Sequence, residues 1–515
     1  MTLARNVAAV GTATLLSRLL GFFRDIGIAA VLGAGPISEA FFAVLQVVNL
    51  FRRLLAEGAL NGAFVPIWLR LRRGNNGAAN ADRLTRRSLL TMGWVTGVIT
   101  LLTVVFAHAI ITAIAPGFDT ARQIMAAFYL FIAAPYIMLA GLVAIVAAAL
   151  SAEGRSGAVA ISTVVFNVVM LLALAFAFGK TDQILTGVWL AAAIVAAGLV
   201  QFVVTAAAWL LAAKRWQHVR VRVPDQTWQF FARAVPSLIA TGIPQLKLIA
   251  AAAIASSSPA AVSWLYYANR LYELPLGVVS VAIAVAIVPL IAASLRDGKG
   301  TAAAQSRAFE IGLGLALPAA AAFAVLAAPI AGGLFERGAF GPGDTAAVAA
   351  ALAAISAGLP GHVLEKLFGA IFFAHEDTRT PMIAALCGLA MAIVAALLLF
   401  PRYGHVGAAA AIAISAWVGA GILAVILARR RWLKLESRAW QRLARIGAAT
   451  AAMAAAIMAA QVLLASAAGP APSASMRMVI LAVLVALGLG IYLTALELLG
   501  VARLSELRAA IRKRL

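Results

Sequence analysis

The chain has one cysteine in 515 residues, Cys387, and it sits in an apolar run. An intrachain disulfide is excluded, and so is a thiolate metal site. Charge is nearly as scarce, at 12% of residues, about half of what a soluble protein carries. Acids are the scarcer sign, 19 against 41 basic residues, for a formal net charge of +22. The five histidines are scattered without metal-ligand spacing, so no metal is expected. GKGT at Gly298–Thr301 lacks the upstream glycine of a phosphate loop, and no ATP site or other cofactor is read. Long polar stretches are missing too, since no connection between apolar windows exceeds about twenty residues, which leaves no room for a soluble domain.

What is present is hydrophobicity: 64% of residues are apolar, with a mean hydropathy of +0.99. This is the composition of an all-α polytopic membrane protein. Apolar windows between turn and charge signals give fourteen spans, at approximately 7–33, 38–69, 88–115, 123–150, 157–179, 184–213, 229–255, 259–294, 308–335, 344–374, 380–400, 405–428, 446–468 and 476–500. Arg18 and Arg24 interrupt the first run, so it reads as an uncleaved span, not a signal peptide. With the N-terminus inside, 29 of the 41 basic residues fall on the inner side, five outside and seven within spans. Both termini are therefore expected in the cytoplasm. The basic excess belongs to topology and anionic headgroups, not to nucleic acid. The tail from Ser505 to Leu515 reads as an amphipathic helix on an anionic lipid surface.

AFVPIW, Ala63–Trp68, resembles AIVPLI, Ala286–Ile291, at a shift of 223, and the same shift carries Arg24 onto Lys247 and Gly21 onto Pro244. Two pseudo-symmetric six-helix lobes follow as an expectation, 1–218 and 219–433, with 434–515 adding two transmembrane helices and the tail. Gly21, Gly27, Gly33, Pro36, Pro66, Pro236, Pro244, Pro275 and Pro289 supply breaks suited to helices that move or line a wet cavity.

The seven intramembrane cations are Arg18, Arg24, Arg52, Arg53, Lys247, Arg270 and Lys366. An isolated arginine at a helix centre costs roughly 2.5 to 3.5 kcal/mol, so each needs water, a counter-charge or a ligand. At 100° per residue, Gln46, Asn49, Arg53 and Glu57 share a stripe of the second span, with Arg52 a quarter turn away. Arg18 and Asp25 share a face of the first span. In the eighth, Ser263, Tyr266, Tyr267, Arg270 and Glu273 share a broad face. Three helices then line one central cationic cavity. Internal ion pairs are one account of it: Arg53 with Glu57, Arg18 with Asp25, Arg270 with Glu273. Six cations against three acids leave about three positive charges over, which favours an anion from outside the chain. Arginine outnumbers lysine five to one in that set, and the guanidinium fork suits phosphate or carboxylate. His362, Glu365 and Lys366 on the tenth span read as a local salt bridge before a proton relay.

SRLLGFFRD, EAFFAVLQVVNLFRRLLAEGALNGAFVPIW and VSWLYYANRLYELPLGVVSVAIAVAIVP resemble the MurJ (MviN) family of bacterial lipid II flippases, in the MOP superfamily of multidrug, oligosaccharidyl-lipid and polysaccharide exporters. The resemblance implies a transporter and no enzyme. It implies translocation of undecaprenyl-diphosphate-linked peptidoglycan precursor to the periplasmic leaflet of the inner membrane, with lipid II and membrane lipids as partners beside the cell-wall synthesis machinery. By position it implies substrate contacts at Arg18, Arg24, Arg52, Arg53 and Arg270, with Asp25, Asn49, Glu57 and Ser263 nearby, and a lipid-tail groove at the last two helices. Glu39, Gln46, Lys247, Tyr267, Glu273 and Lys366 are accessory candidates. Sodium coupling, implied for some relatives between the seventh, eleventh and twelfth spans, meets no carboxylate at depth here, so the membrane potential is the expected drive. A flippase for another polyprenyl-diphosphate saccharide would use the same cavity. A membrane phosphatase or glycosyltransferase would need an aspartate pair or histidine cluster that the chain lacks. An exporter of cationic drugs would want an acidic site.

Overall fold

The computed structural model describes residues 3–56, 59–73, 77–180, 182–212, 242–283, 287–297, 300–468 and 473–501. Glu57, the basic residues from Lys214 to Arg233, Pro236 and the Ser505–Leu515 tail lie outside them. Every regular element among the described residues is helical. The first part of the chain holds α1 (Leu3–Leu32), α2 (Pro36–Ala56), α3 (Ala59–Arg72), α4 (Gly77–Val105), α5 (Ala107–Ile114), α6 (Thr120–Ala133), α7 (Pro135–Ala152), α8 (Ser156–Ala177), α9 (Gln183–Ala212) and α10 (Gly242–Ala255). The second holds α11 (Ala261–Ala282), α12 (Val288–Asp297), α13 (Thr301–Val325), α14 (Ala327–Phe335), α15 (Pro342–Ser356), α16 (Leu359–Ala374), α17 (Arg379–Arg429), α18 (Ser437–Ala468) and α19 (Ala474–Leu498). Two compact units result, Met1–Ile249 and Ala250–Leu515.

Helix order recurs between the units at the spacing of the sequence repeat. Shifted by 223, α6 and α7 fall on 343–356 and 358–375, where α15 and α16 stand, and α4 falls on 300–328, where α13 stands. The span 38–69 contains α2 and α3, and 259–294 contains α11 and α12. Pro135 opens α7 at the first helical position and Pro360 stands second in α16, and at both places the missing N–H is no loss. In the 51-residue α17 the windows 380–400 and 405–428 meet at Gly404, whose φ of 55° and ψ of −140° only glycine adopts readily.

Nine helical stretches among the described residues are long and apolar enough to cross a membrane. They take up ten of the fourteen windows, because α17 covers two. Those with the densest intramembrane charge are not among the nine. α2 and α11 have the length, 21 and 22 residues, but Glu39, Arg52, Arg53, Arg270 and Glu273 lower their hydropathy. Exposed Leu101, Val105, Phe176, Leu211 and Leu398 give the outer faces the apolar character that lipid requires. Inside the first unit, Phe64, Trp68, Leu84, Met92, Ile145 and Trp209 join α3, α4, α7 and α9. In the second, the Trp432–Glu436 linker is tied to α13. Gln305 donates to the Trp432 carbonyl at 3.0 Å and accepts from the Lys434 amide at 2.7 Å, and Ser306 accepts from the Glu436 amide at 2.9 Å. This linker leads directly into α18.

Candidate functional site

α1 places Arg18 on an exposed surface and Arg24 and Asp25 inside the first unit. Asp25 is fully buried and Arg24 is 7% exposed. Arg24 donates to Asp25 Oδ1 through Nε at 3.1 Å and Nη2 at 2.9 Å, and through Nη1 to Asn167 Oδ1 of α8 at 3.2 Å. Asn167 in turn donates to the Ser17 carbonyl at 3.0 Å, so one side chain of α8 ties α1 at both Ser17 and Arg24. Seven residues apart means roughly 10 Å along a helix. The Asp25 carboxylate lies instead against the guanidinium beside it. Arg52 on α2 donates to Asn49 Oδ1 at 3.3 Å, and Arg52 and Arg53 are half-buried. On α7 the buried Tyr136 hydroxyl lies within electrostatic reach of Arg52 and Arg24. That ring is fixed edge-on to Phe166 at 5.5 Å and is backed by Gly198 of α9, where a Cβ would come within 2.6 Å.

Other polar residues of α2 have different surroundings. Glu39 is fully buried and accepts from Arg122 Nη1 of α6 at 2.8 Å. Arg122 also donates to Asp119 Oδ2 at 2.9 Å and lies 4.9 Å over the Phe118 ring. The Arg122 amide N–H and guanidinium hold the Asp119 carboxyl below its ordinary range. Glu39 thus joins α2 to α6. Gln46 and Lys247, on α2 and α10, are 2% and 4% exposed.

In the second unit, α11 carries Ser263, Tyr267, Arg270 and Glu273. Ser263 and Tyr267 are fully buried. Tyr267 packs among Phe335 at 5.0 Å and Phe340 at 5.3 Å, which makes it a core residue. Arg270 Nη1 donates to Glu273 Oε2 at 2.9 Å, and Asn269 donates to the other oxygen at 3.3 Å. Both charged side chains of that pair keep solvent access, 22% and 25%. Lys366 is exposed on α16. Among the described residues no three His, Cys, Asp or Glu side chains gather as a metal site.

Five arginines on α1 and α2, Arg5, Arg18, Arg24, Arg52 and Arg53, thus stand against two carboxylates, Asp25 and Glu39, the second of which is bonded to Arg122. The matched family model is that of the lipid II flippase MurJ, and it covers residues 28–480. A protein of Rhizobium meliloti, by name a probable lipid II flippase MurJ, is 38% identical across 100% of this chain and 97% of its own length. The chain belongs to the MurJ lipid II flippase family. It is a multi-pass membrane protein of a transporter family, not an enzyme. Its fold is that of a MurJ lipid II flippase solved in an inward closed conformation, with a TM-score of 0.76 at 20% identity over 94% of this chain and 97% of the other. The fold extends to an inward-facing MATE multidrug transporter of the MOP superfamily, with a TM-score of 0.67 at 16% identity over 82% and 98%.

Asn167, Tyr136 and Arg122 are the residues that the sequence reading passed over. Asn167 could have been found as the lone amide of an apolar helix, and such a group needs a buried partner. Arg122 falls just before the 123–150 window, where the sequence asks for no partner. Tyr136 carries no signal in the sequence, since only packing brings it to Arg24 and Arg52.

Proposed function

We propose that the chain carries lipid II from the cytoplasmic to the periplasmic leaflet of the bacterial inner membrane by alternating access, with both termini in the cytoplasm. The observation that carries the reading is the concentration of arginine on α1, α2 and α11 within a full-length match to flippases. Diphosphate is a dense dianion, and guanidinium groups bind it bidentately. Arg18, Arg52, Arg53 and Arg270 are the principal contacts, with Asn49, Glu57 and Ser263 shaping the headgroup site, while the polyprenyl tail stays in lipid. Arg24 and Asp25 set the field from behind. Two six-helix lobes, 1–218 and 219–433, would rock about the site, and 434–515 would guide the tail. The potential is the principal drive: with the inside negative, an outward-moving phosphate gains up to roughly 2.3 kcal/mol per charge per 100 mV, and the empty cationic site is drawn back.

The test is rescue of a flippase-depleted bacterium by the wild type and by Arg52→Ala and Arg270→Ala, each checked for membrane abundance. Rescue by the wild type alone supports the reading. Rescue by all three removes the arginines from it. Rescue by none, at normal abundance, points to another polyprenyl-diphosphate saccharide. In vesicles, collapsing the potential should cut flipping sharply, and an undiminished rate would remove the potential as the drive.

A further inference from the structure

α16 and α17 end in the same kind of turn. Where α16 stops, the Glu376 amide donates to the Phe373 carbonyl and the Asp377 amide to the Phe372 carbonyl, both at 3.0 Å. Where α17 stops, the Arg431 amide donates to the Ala428 carbonyl at 3.1 Å and the Trp432 amide to the Leu427 carbonyl at 3.0 Å. The left-handed residue of such a capping turn is usually glycine. Here it is Glu376, with a φ of 61°, and Arg431, with a φ of 56°. Each keeps a charged side chain at a backbone strain that glycine would avoid, so the turn alone does not account for either residue.

Arg430 pins the two turns together, since its Nη1 donates to Asp377 Oδ2 at 2.7 Å. Thr380 gives the same carboxylate its amide at 3.0 Å and its hydroxyl at 2.7 Å. Beside this bond opens a cavity of about 730 Å³, whose lining includes His375, Glu376, Asp377, Arg379, Arg430 and Trp432. That volume falls in the range of about 300 to 1,000 Å³ that takes a small organic group. One wall is aromatic: His375 lies flat on Trp432 with the rings 3.9 Å apart, and its Nδ1–H donates to the Ile371 carbonyl at 2.9 Å. Of the charges on the lining, Arg430 and Asp377 satisfy each other. Arg379 and Glu376 are exposed, and among the described residues neither side chain has a hydrogen-bond or ion-pair partner.

The cavity stands at the edge of the membrane, bordered by the spans Pro342–Ala374 and Arg379–Arg429. From Arg379 the residues Ile383, Leu386, Ala390, Ile393 and Leu397 follow at steps of four and three along α17, and all of them are exposed. Steps of that kind keep one helix face. Phe373 and Val425, near the ends of α16 and α17, are exposed as well. A polar cup therefore sits at the head of an apolar wall.

We propose that the cavity holds the headgroup of one phosphatidylethanolamine of the bilayer, with its phosphate on Arg379, its ammonium on Glu376 and an acyl chain along the exposed stripe of α17. Charge complementarity selects this lipid. Basic pockets at the ends of membrane helices take anionic headgroups, but this lining carries two charges of each sign, and the two left open are one cation and one anion. A zwitterion meets both. Phosphatidylglycerol would meet Arg379 equally well and leave the Glu376 carboxylate without a cation. The Trp432 indole suits the headgroup level, where tryptophan is enriched. An occupant that bridges Arg379 and Glu376 also adds to stability, because it binds the folded chain alone. The inference does not depend on what the chain transports, and on the topology proposed above the site belongs to the cytoplasmic leaflet.

The test is competition for the purified full-length protein between phosphatidylethanolamine and phosphatidylglycerol with the same acyl chains, read by native mass spectrometry as the lipids retained. Thermal unfolding is followed beside it in phosphatidylglycerol nanodiscs with and without phosphatidylethanolamine. The wild type should hold its tightest lipid with a preference of about tenfold for phosphatidylethanolamine, the scale of one hydrogen bond to a charged group, and should unfold at a higher temperature when that lipid is present. Arg379→Gln and Glu376→Gln should each retain one phosphatidylethanolamine fewer and lose the thermal difference. Glu376→Gly separates the ligand from the turn: glycine suits the left-handed position, so this variant should be at least as stable as the wild type without the lipid and still fail to retain it. Glycerophosphoethanolamine, the headgroup without acyl chains, should not raise the unfolding temperature at the same concentration, and an equal rise would overturn the assignment to a bilayer lipid. Retention of phosphatidylglycerol by the wild type as strongly as phosphatidylethanolamine overturns the proposal. So does unchanged retention of phosphatidylethanolamine in Arg379→Gln and Glu376→Gly.

Discussion

Arg24 of α1 and Asn167 of α8 meet at 3.2 Å through a guanidinium that also holds the buried Asp25 carboxylate. Removing one partner of such a pair is worse than removing both, because a charge is left buried without its counter-charge. Arg24→Ala should therefore destabilise the protein by roughly 3 to 5 kcal/mol, and the Arg24→Ala, Asp25→Ala double variant by less than the sum of the two single changes. Thermal unfolding in detergent, read beside membrane abundance, measures both. Normal stability of Arg24→Ala would return this residue to the headgroup contacts.

Glu39 and Arg122 make a similar prediction at another place. Their 2.8 Å bond joins α2 to α6, and both side chains are nine-tenths or more buried. Glu39→Gln keeps the shape and removes the charge, which leaves Arg122 only the exposed Asp119 as counter-ion. Stability should fall by roughly 3 kcal/mol or more, while headgroup affinity in the surviving protein stays within about twofold. Weakened binding at unchanged stability would place Glu39 in the site.

Much of this was legible in the chain, and the reason differs by residue. Apolar run lengths and prolines carry the helix plan, because lipid demands internally bonded backbone and a proline leaves its mark wherever it stands. The joined α17 was less legible, since Pro401 and Gly404 look like a loop when read by residue type. Arg270 and Glu273, three apart on one helix, meet as helical geometry alone would have them. Partners from other helices are a different matter. Asn167 with Arg24, Glu39 with Arg122 and Tyr136 near Arg52 depend on which helices pack together, and spacing along the chain does not encode that.

The connection between α16 and α17 offers a prediction about acid. Burial pushes the Asp377 carboxyl up, but the Thr380 amide and hydroxyl and the Arg430 guanidinium outweigh it and hold the group at about 2. A carboxylate depressed in the folded state contributes stability above its unfolded value, about 3.9, and loses that contribution as pH falls through the folded value. The connection should therefore be insensitive to pH from about 5 to 8, and its contribution should fade only between about pH 4 and 2. Asp377→Asn should lower thermal stability slightly at neutral pH and remove that acid-limb dependence. Unfolding temperatures of both proteins across the range measure it, and identical acid limbs would contradict the assignment.

Arg270 differs from Arg24 in what it would take to redirect it. Its partner Glu273 lies three residues along the same helix, and solvent reaches both side chains of the pair. An ion pair with that much access to water contributes about 0 to 1 kcal/mol. Glu273→Gln should therefore leave stability within about 1 kcal/mol of the wild type. The same change removes the negative charge that competes with a phosphate for the guanidinium. Binding of lipid II, measured by titration in nanodiscs, should tighten in Glu273→Gln and weaken by about tenfold or more in Arg270→Ala, the scale of one lost hydrogen bond to a charged group. The two effects should shrink together as salt is raised, because both are interactions of charges that water reaches. If Glu273→Gln weakens binding as much as Arg270→Ala does, the carboxylate is itself a contact, and the anion is recognised by the pair instead of by the arginine alone.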